Sequence, residues 1–426
     1  MVDSVSGSAR LPLFAGRGVE IEYMIVGADD MAVRPLADRV LVDTDGAVTD
    51  EIEPGLQDDA VGLAWCNELA AHVIEVKNPR PIVSLDGLIA PFELSVRELA
   101  RRLEPFGATL LPGAAHPFMD PETETKLWPH AYGPVYAAFD AMFGCRGHGW
   151  SNLQSAQINL SYASDDEFRR LHAAIRLVLP LLPALAAASP LLDGVVRGSR
   201  DRRLEVYATN CARLPAVTAR VIPEDCEDEA QYRRDVLDPI AAAVAPFDPD
   251  GVLDPVWVNA RGAIARVDRG SIEIRVIDSQ ETPAADLAIL TATEALVRHL
   301  AVERADDLAR QRAVPTDALV DLFWRAAQDA GAARLEDLGL AAALGVDGLH
   351  GARLDVVWRA LIERTLPAAG GDAPRVQRHL DVILEDGCLS ERVLRRVGAA
   401  PSREQLVELC RELSAALLDG APFGLG

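Results

Sequence analysis

At 426 residues, with 49% apolar and 25% charged side chains, the chain has ample material for one large domain or two ordinary ones and reads as a soluble globular protein. Its formal net charge of -23 argues against nucleic acid or an anionic membrane as the main partner, because both require clustered basic surface. A nucleotide is not excluded, since a local pocket of metal and arginine overrides the global charge.

The first residues, Met1 to Gly16, lack both a basic start and an apolar run, so no secretory signal is expected, and residues 1–15 read as a flexible N-terminus. Gly18-Val19-Glu20-Ile21-Glu22-Tyr23 then alternates strictly. A β-strand turns alternate side chains to opposite faces, so both glutamates share one face while Val19, Ile21 and Tyr23 take the other. Carboxylates two apart on a strand lie about 7 Å from each other and repel, an arrangement that cations between them make favourable. By itself the pattern also fits the solvated face of an ordinary half-buried strand.

After this strand the sequence predicts a short helix ending near Leu41 and an exposed acidic loop from Asp43 to Gly62 around Pro54-Gly55. Val73-Ile74-Glu75-Val76-Lys77 is a second alternating strand, stopped by Asn78-Pro79-Arg80-Pro81. A helix follows, with Leu94, Val96, Leu99 and Leu103 on its apolar side and Pro105 and Gly107 as its stop. A short strand, Thr109 to Pro112, delivers a loop with His116, a candidate substrate contact whose alternative is a structural role. Ala131 to Phe143 reads as a helix, and Arg146-Gly147-His148-Gly149-Trp150 as a glycine-rich turn that lets backbone approach a ligand. Arg80, Arg146 and His148 join His116 as candidate substrate contacts.

Ser155-Ala156-Gln157-Ile158-Asn159-Leu160-Ser161 is a third alternating strand whose polar face carries only hydrogen-bonding groups. A helix capped by Ser164 or Asp165, with Phe168, Leu171, Ile175 and Val178 inward, suits the greasy side of a sheet. The apolar window Leu177 to Leu192 contains Pro180, Pro183 and Pro190 and reads as buried helix, not as a membrane span. Asp193 to Arg203 is a glycine- and arginine-rich loop placed to reach over an anion. A helix is expected around Gln231 to Ala245, and then a hairpin in which Val256 to Val267 pairs with Ser271 to Ile277 through Asp268-Arg269-Gly270. This fourth alternating strand sets Glu273 and Arg275 opposite Ile272, Ile274 and Val276.

From Ala284 onward helices run almost without interruption. Residues 16–303 are read as the catalytic α+β domain and 304–426 as a helical extension packed on it, or a surface for a homo-oligomer. The six cysteines form no C-x-x-C pair, which favours reduced thiols in a cytoplasmic protein.

If the four strands share a sheet, one face is greasy and the other gathers Glu20, Glu22, Glu75 and Glu273 with Gln157, Asn159 and Arg275. Hard oxygen ligands suit Mg²⁺ or Mn²⁺, and an arginine beside them suits a phosphoryl group. There is no P-loop, G-x-G-x-x-G, H-E-x-x-H or G-x-S-x-G, so phosphate would be held by metals and arginine on a sheet.

Gly18-Val19-Glu20-Ile21-Glu22, Val73-Ile74-Glu75, Gly147-His148-Gly149-Trp150 with Gln157-Ile158-Asn159-Leu160, Ser189-Pro190 and Ile272-Glu273-Ile274-Arg275-Val276 occur in the order found in the second type of glutamate-cysteine ligase, which includes carboxylate-amine ligases. The chain resembles that family over roughly residues 16 to 300. The resemblance implies a glutamine synthetase-like fold, a curved, mainly antiparallel sheet forming a funnel with helices outside, and it implies ATP and magnesium. It implies Glu20, Glu22, Glu75 and Glu273 as metal ligands, Gln157 at a metal or nucleotide position, Asn159 and Arg275 at the nucleotide with Arg275 as a phosphate clamp, and Glu273 and Arg275 as catalytic. Gln157 stands where many members have histidine, and Lys77-Asn78-Pro79-Arg80 replaces a small-residue segment. The reaction implied is amide formation from a carboxylate, glutamate by family likeness, and an amine through an acyl phosphate. The alternatives are a phosphotransferase to nitrogen, a two-metal hydrolase and a non-catalytic nucleotide-binding relative.

Overall fold

A computed structural model describes residues 10–424. Of the stretch expected to be flexible, residues 1–9 lie outside the described residues, while residues 10–15 are held by a buried Phe14 whose amide donates to the Ser161 carbonyl.

Ten strands form among the described residues: β1 Arg17–Gly27, β2 Glu51–Ile52, β3 Ala64–Asn67, β4 Val73–Lys77, β5 Ala108–Leu111, β6 Ser155–Ser161, β7 Leu191–Leu192, β8 Val195–Val196, β9 Ala263–Arg266 and β10 Ser271–Asp278. Eight of them make one antiparallel sheet in the order β2-β3-β4-β1-β6-β10-β9, with β5 also on β1; β7 and β8 form a separate small hairpin. The long β1 is its centre. β4 pairs along one edge at Glu20 to Met24, and the other edge is shared between β6, at Arg17 to Ile21, and β5, at Met24 to Gly27.

The expected division of faces is observed. Val19, Ile21, Tyr23, Ile74, Val76, Ala156, Ile158, Leu160, Ile272, Ile274 and Val276 are fully buried on one side. Helices α1 Ile89–Leu103, α3 Asp165–Val178 and α5 Pro283–Arg298 contribute to the same core. Between α1 and α3 lies α2 Gly133–Phe143, and between α3 and α5 lies α4 Arg202–Thr209. Helix ends follow local chemistry. Ser164 caps α3 by accepting from the Glu167 amide, and α1 passes through one tight turn to Gly107, which takes the left-handed φ of 64° that a side chain disfavours. All four inward positions expected for α3 are buried.

Two expectations require correction. The stretch Asp43 to Gly62 is not wholly an exposed loop, because Glu51–Ile52 pairs with Trp65 and Cys66 of β3, a strand the sequence reading did not find. The hairpin strand is also shorter than 256–267. Asp254 accepts from the Val256 amide and Pro255 opens a helical turn, so only Ala263–Arg266 pairs with β10.

Among the C-terminal helices, α6 Thr316–Asp329, α7 Leu354–Thr365 and α8 Ala373–Asp386 place Phe323, Trp358 and Leu380 in the core that holds the sheet's apolar face. Helices α9 Leu389–Val397 and α10 Arg403–Asp419 join a second core with Met24, Val26, Leu111 and Phe118. Arg392 of α9 also reaches Glu281, just beyond β10, at 2.6 Å with both side chains 1% exposed. Breaking a buried pair leaves an uncompensated charge, so Arg392→Ala should cost about 3–5 kcal/mol, read as a lowered urea midpoint. Among the described residues no helix is long and apolar enough to cross a membrane.

Candidate active site

The polar face of the sheet opens into a cavity of about 690 Å³. Its floor carries Glu20 and Glu22 of β1, Glu75 and Lys77 of β4, Gln157 of β6, and Glu273 and Arg275 of β10. Strand register explains the gathering. Glu22 lies directly opposite Glu75, Glu20 faces Lys77 on one side and Gln157 on the other, and Glu273 faces Asn159.

Two carboxylates face each other across β1 and β4, where like charges destabilise a sheet. Glu68, immediately after β3, adds another. Carboxylate oxygens of Glu22, Glu68 and Glu75 all lie within 4.8 Å of one another. Burial, then the charge of Glu75, raises Glu22 to about 7. Burial also raises Glu75 to about 7, with Lys77 pulling the other way, and burial followed by Glu22 raises Glu68 to about 8. Glu20 rises to about 8 through burial and then Glu75 and Glu273. Three converging hard-oxygen ligands under mutual repulsion are a donor set that fits a divalent cation such as Mg²⁺.

Glu273 is different. Burial works to raise it, but Arg275 and Arg266 outweigh that and hold it below the ordinary carboxylate range. Arg266 Nη1 lies 3.0 Å from one carboxylate oxygen, and Arg275 donates to the other through Nε, at 3.0 Å, and through Nη2. Arg275 is aimed by a β-bulge: between Ile274 and Ile277, β10 carries one residue more than β6. Arg203 secures this bulge, donating to the Arg275 carbonyl at 2.8 Å and to Asp278 at 3.1 Å. Ser189 accepts from the Arg203 amide and donates to Asp278, which gives the Ser189-Pro190 motif its structural place.

Gln157 donates to Glu22 at 3.1 Å, and the Ser155 amide donates to the other Glu22 oxygen at 2.7 Å. Asn159 donates to Glu20 at 3.4 Å and lines a second cavity of about 450 Å³ beyond Lys77 and Arg269. Arg80 lies at the outer wall of that second cavity, exposed and paired with Glu53, and does not line the first.

The remaining candidates are not brought to the carboxylates. His116 is buried, its Nε2 2.7 Å from the Met31 carbonyl, and burial pulls its pKa down to about 4. It is a neutral loop anchor. His148 bridges Asp193 at 2.8 Å and Asn152 at 2.9 Å, and Arg146 is exposed; neither lines the cavity. The turn glycine does line the cavity, and protein packing requires its smallness as well: a Cβ on Gly149 would come within 2.6 Å of the Val206 carbonyl of α4.

Residues missed in the sequence complete the cavity. Glu68 follows a four-residue strand with no long alternation, and Arg266 ends the equally short β9. Tyr132, Tyr136, Phe139, Trp150 and Trp257 add aromatic lining, with Phe139 and Trp150 packed on each other, and Cys66 lies opposite Glu75. Burial, then Glu75, raises the Cys66 thiol and keeps it protonated.

The family to which this chain belongs makes it a carboxylate-amine ligase. Residues 17–412 match glutamate-cysteine ligase family 2, and the chain belongs to that family. It is similar to an uncharacterized protein of Archaeoglobus fulgidus, 30% identical over 90% of this chain and 93% of that one. It is also similar to a glutamate–cysteine ligase of Natronomonas pharaonis, 24% identical over 68% of this chain and 71% of that one. The glutamate–cysteine ligase of Francisella tularensis, solved in complex with AMP, shares the fold with a TM-score of 0.53 at 12% identity, covering 96% of this chain and 89% of that one.

The raised carboxylates make a pH prediction. Their unfolded pKa is near 4.5 and their folded values are 7 to 8. Their contribution to stability is therefore full below the unfolded value and lost as pH rises through the folded ones. Metal-free protein should melt a few degrees lower at pH 8.5 than at pH 6. Mg²⁺ or Mn²⁺ at a hundredfold excess over its Kd adds about 2.7 kcal/mol, and should narrow that gap in a thermal scan.

Proposed function

We propose that this enzyme uses ATP to phosphorylate a substrate carboxylate and then joins the acyl group to an amine, releasing ADP and phosphate. The observation that carries the reading is the convergence of Glu22, Glu68 and Glu75 beside the Glu273–Arg275 pair on one cavity floor. The AMP bound by the Francisella tularensis ligase supports an adenine nucleotide as the phosphoryl donor. Glutamate as the carboxylate donor follows from the names of the relatives.

Glu22, Glu68 and Glu75, with Glu20 adjacent, would hold Mg²⁺ or Mn²⁺. When bound, the ion neutralises phosphate oxygens and orients donor and acceptor. Arg275, fixed by Glu273 below and the bulge behind, presents a guanidinium to charge that builds on the transferring phosphoryl group. The attacking amine must lose a proton, and phosphate leaves as the amide forms. The aromatic lining from Tyr136, Phe139 and Trp150 offers less polar surface against which an amine's side chain packs.

The test is ADP release by purified protein with Mg²⁺ and ATP, first with glutamate alone, then with an amine panel including cysteine, with mass analysis of products. ADP release requiring both substrates, with a new amide, supports the reading. A phosphorylated nitrogen product would instead establish the phosphotransferase. Turnover without ATP would establish the hydrolase.

A further inference from the structure

Lys77 is one of only two lysines in the chain, and its ammonium lies inside the carboxylate cluster. Its Nζ is 3.2 Å from Glu75 and 3.0 Å from Glu51, carboxylates of two different strands, and its own position on β4 faces Glu20 across the β1 pairing. The residues after it lock this placement. The Asn78 side chain accepts from the Val19 amide at 2.6 Å and donates to the Arg17 and Arg80 carbonyls. These bonds continue the β1–β4 ladder through a side chain, just before Pro79 would end it.

Catalytic ion pairs that share a carboxylate lie about 3.5–4 Å apart, with ligand distances near 2.1 Å for magnesium. A second ion on Glu75, next to one held by Glu22, Glu68 and Glu75, would need the space Nζ fills. The other carboxylate that could anchor such an ion, Glu273, already has both oxygens taken by Arg275 and Arg266. Glu20, Glu22 and Glu68 have no protein cation within salt-bridge distance among the described residues, and the last two converge with Glu75 on one site, enough for one divalent ion.

We propose that the Lys77 ammonium takes the place of a second cation, so that the chain holds a single resident divalent ion before nucleotide binds. This rests on the ligase reading of the same site. Lys77 is on this account a positioning residue that fixes metal number, leaving one fixed positive charge where a second ion would carry two.

The experiment is Mn²⁺ titration of metal-stripped full-length protein without nucleotide, counting free Mn²⁺ by its paramagnetic resonance signal. Wild type should bind one Mn²⁺ per chain, and Lys77→Met should bind two. Lys77→Arg, which keeps the charge, should stay at one. If Lys77→Met fails to fold by circular dichroism, Lys77→Gln takes its place with the same expectation. Two Mn²⁺ in wild type, or still one in a folded Lys77→Met or Lys77→Gln protein, overturns the proposal while leaving the ligase reading intact. No Mn²⁺ in wild type overturns both.

Discussion

An Arg275→Ala enzyme should release ADP about 10²–10³-fold more slowly at saturating substrates, the loss seen when one preorganised donor to a developing oxyanion is removed. The protein should stay folded. Arg266 remains on Glu273, and Arg203 still holds the bulge through a backbone carbonyl that the substitution does not touch. Because the guanidinium acts on charge that appears during transfer, the loss belongs in kcat more than in KM. Arg275→Lys should recover little, since an ammonium does not reproduce a fork that grips Glu273 through two nitrogens while facing the cavity. Glu273→Ala should fall in the same direction by leaving Arg275 unanchored. Steady-state ADP release and a melting curve on each variant check this, and full activity in Arg275→Ala would remove the arginine from the site.

The fold was legible where alternation ran long. β1, β4, β6 and β10 each alternate for four residues or more, and a one-residue slip would have turned every carboxylate into the core, so pattern alone assigned the faces. What the pattern does not carry is pairing over distance. β3 is four residues long and sits behind an acidic stretch, so Glu68 had no period to identify it, although Trp65 within β3 was a strand-former in view. Arg203 lay at the end of a loop read as arginine-rich and placed over an anion; its use in holding the β10 bulge depends on Asp278, 75 residues away. His116 shows the converse. Beside a proline in a loop it had the chemistry of a ligand, and only the position of Met31, 85 residues earlier, shows that its ring serves the backbone. Glycine in the Gly147-His148-Gly149 turn was equally ambiguous: Gly149 lines the cavity, but the approach of α4 already requires the small residue there. Local chemistry identified groups able to act, and tertiary packing decided which of them face the cavity.

Glu22→Gln should separate function from stability with opposite signs. Neutralising Glu22 removes one member of the Glu22, Glu68 and Glu75 cluster, so the Mn²⁺-induced rise in melting temperature should vanish. A metal ion contributes several kcal/mol of transition-state charge stabilisation, and each 1.36 kcal/mol is a factor of ten, so ADP release should fall by about 10²–10³-fold. Yet the metal-free variant should melt a few degrees above metal-free wild type at pH 8. Its amide oxygen still accepts from the Ser155 amide, Gln157 turns to offer its oxygen to the new NH₂ group, and the repulsion across the Glu22–Glu75 register pair is gone. At pH 4, where Glu22 is mostly protonated in both folded and unfolded wild type, the two proteins should melt together. A carboxylate kept only for its hydrogen bonds would behave otherwise: the substitution would lower the melting temperature at both pH values and leave the Mn²⁺ response in place. The sign of the change at pH 8 therefore distinguishes a ligand held at the expense of the fold from a buried glutamate that merely supports it.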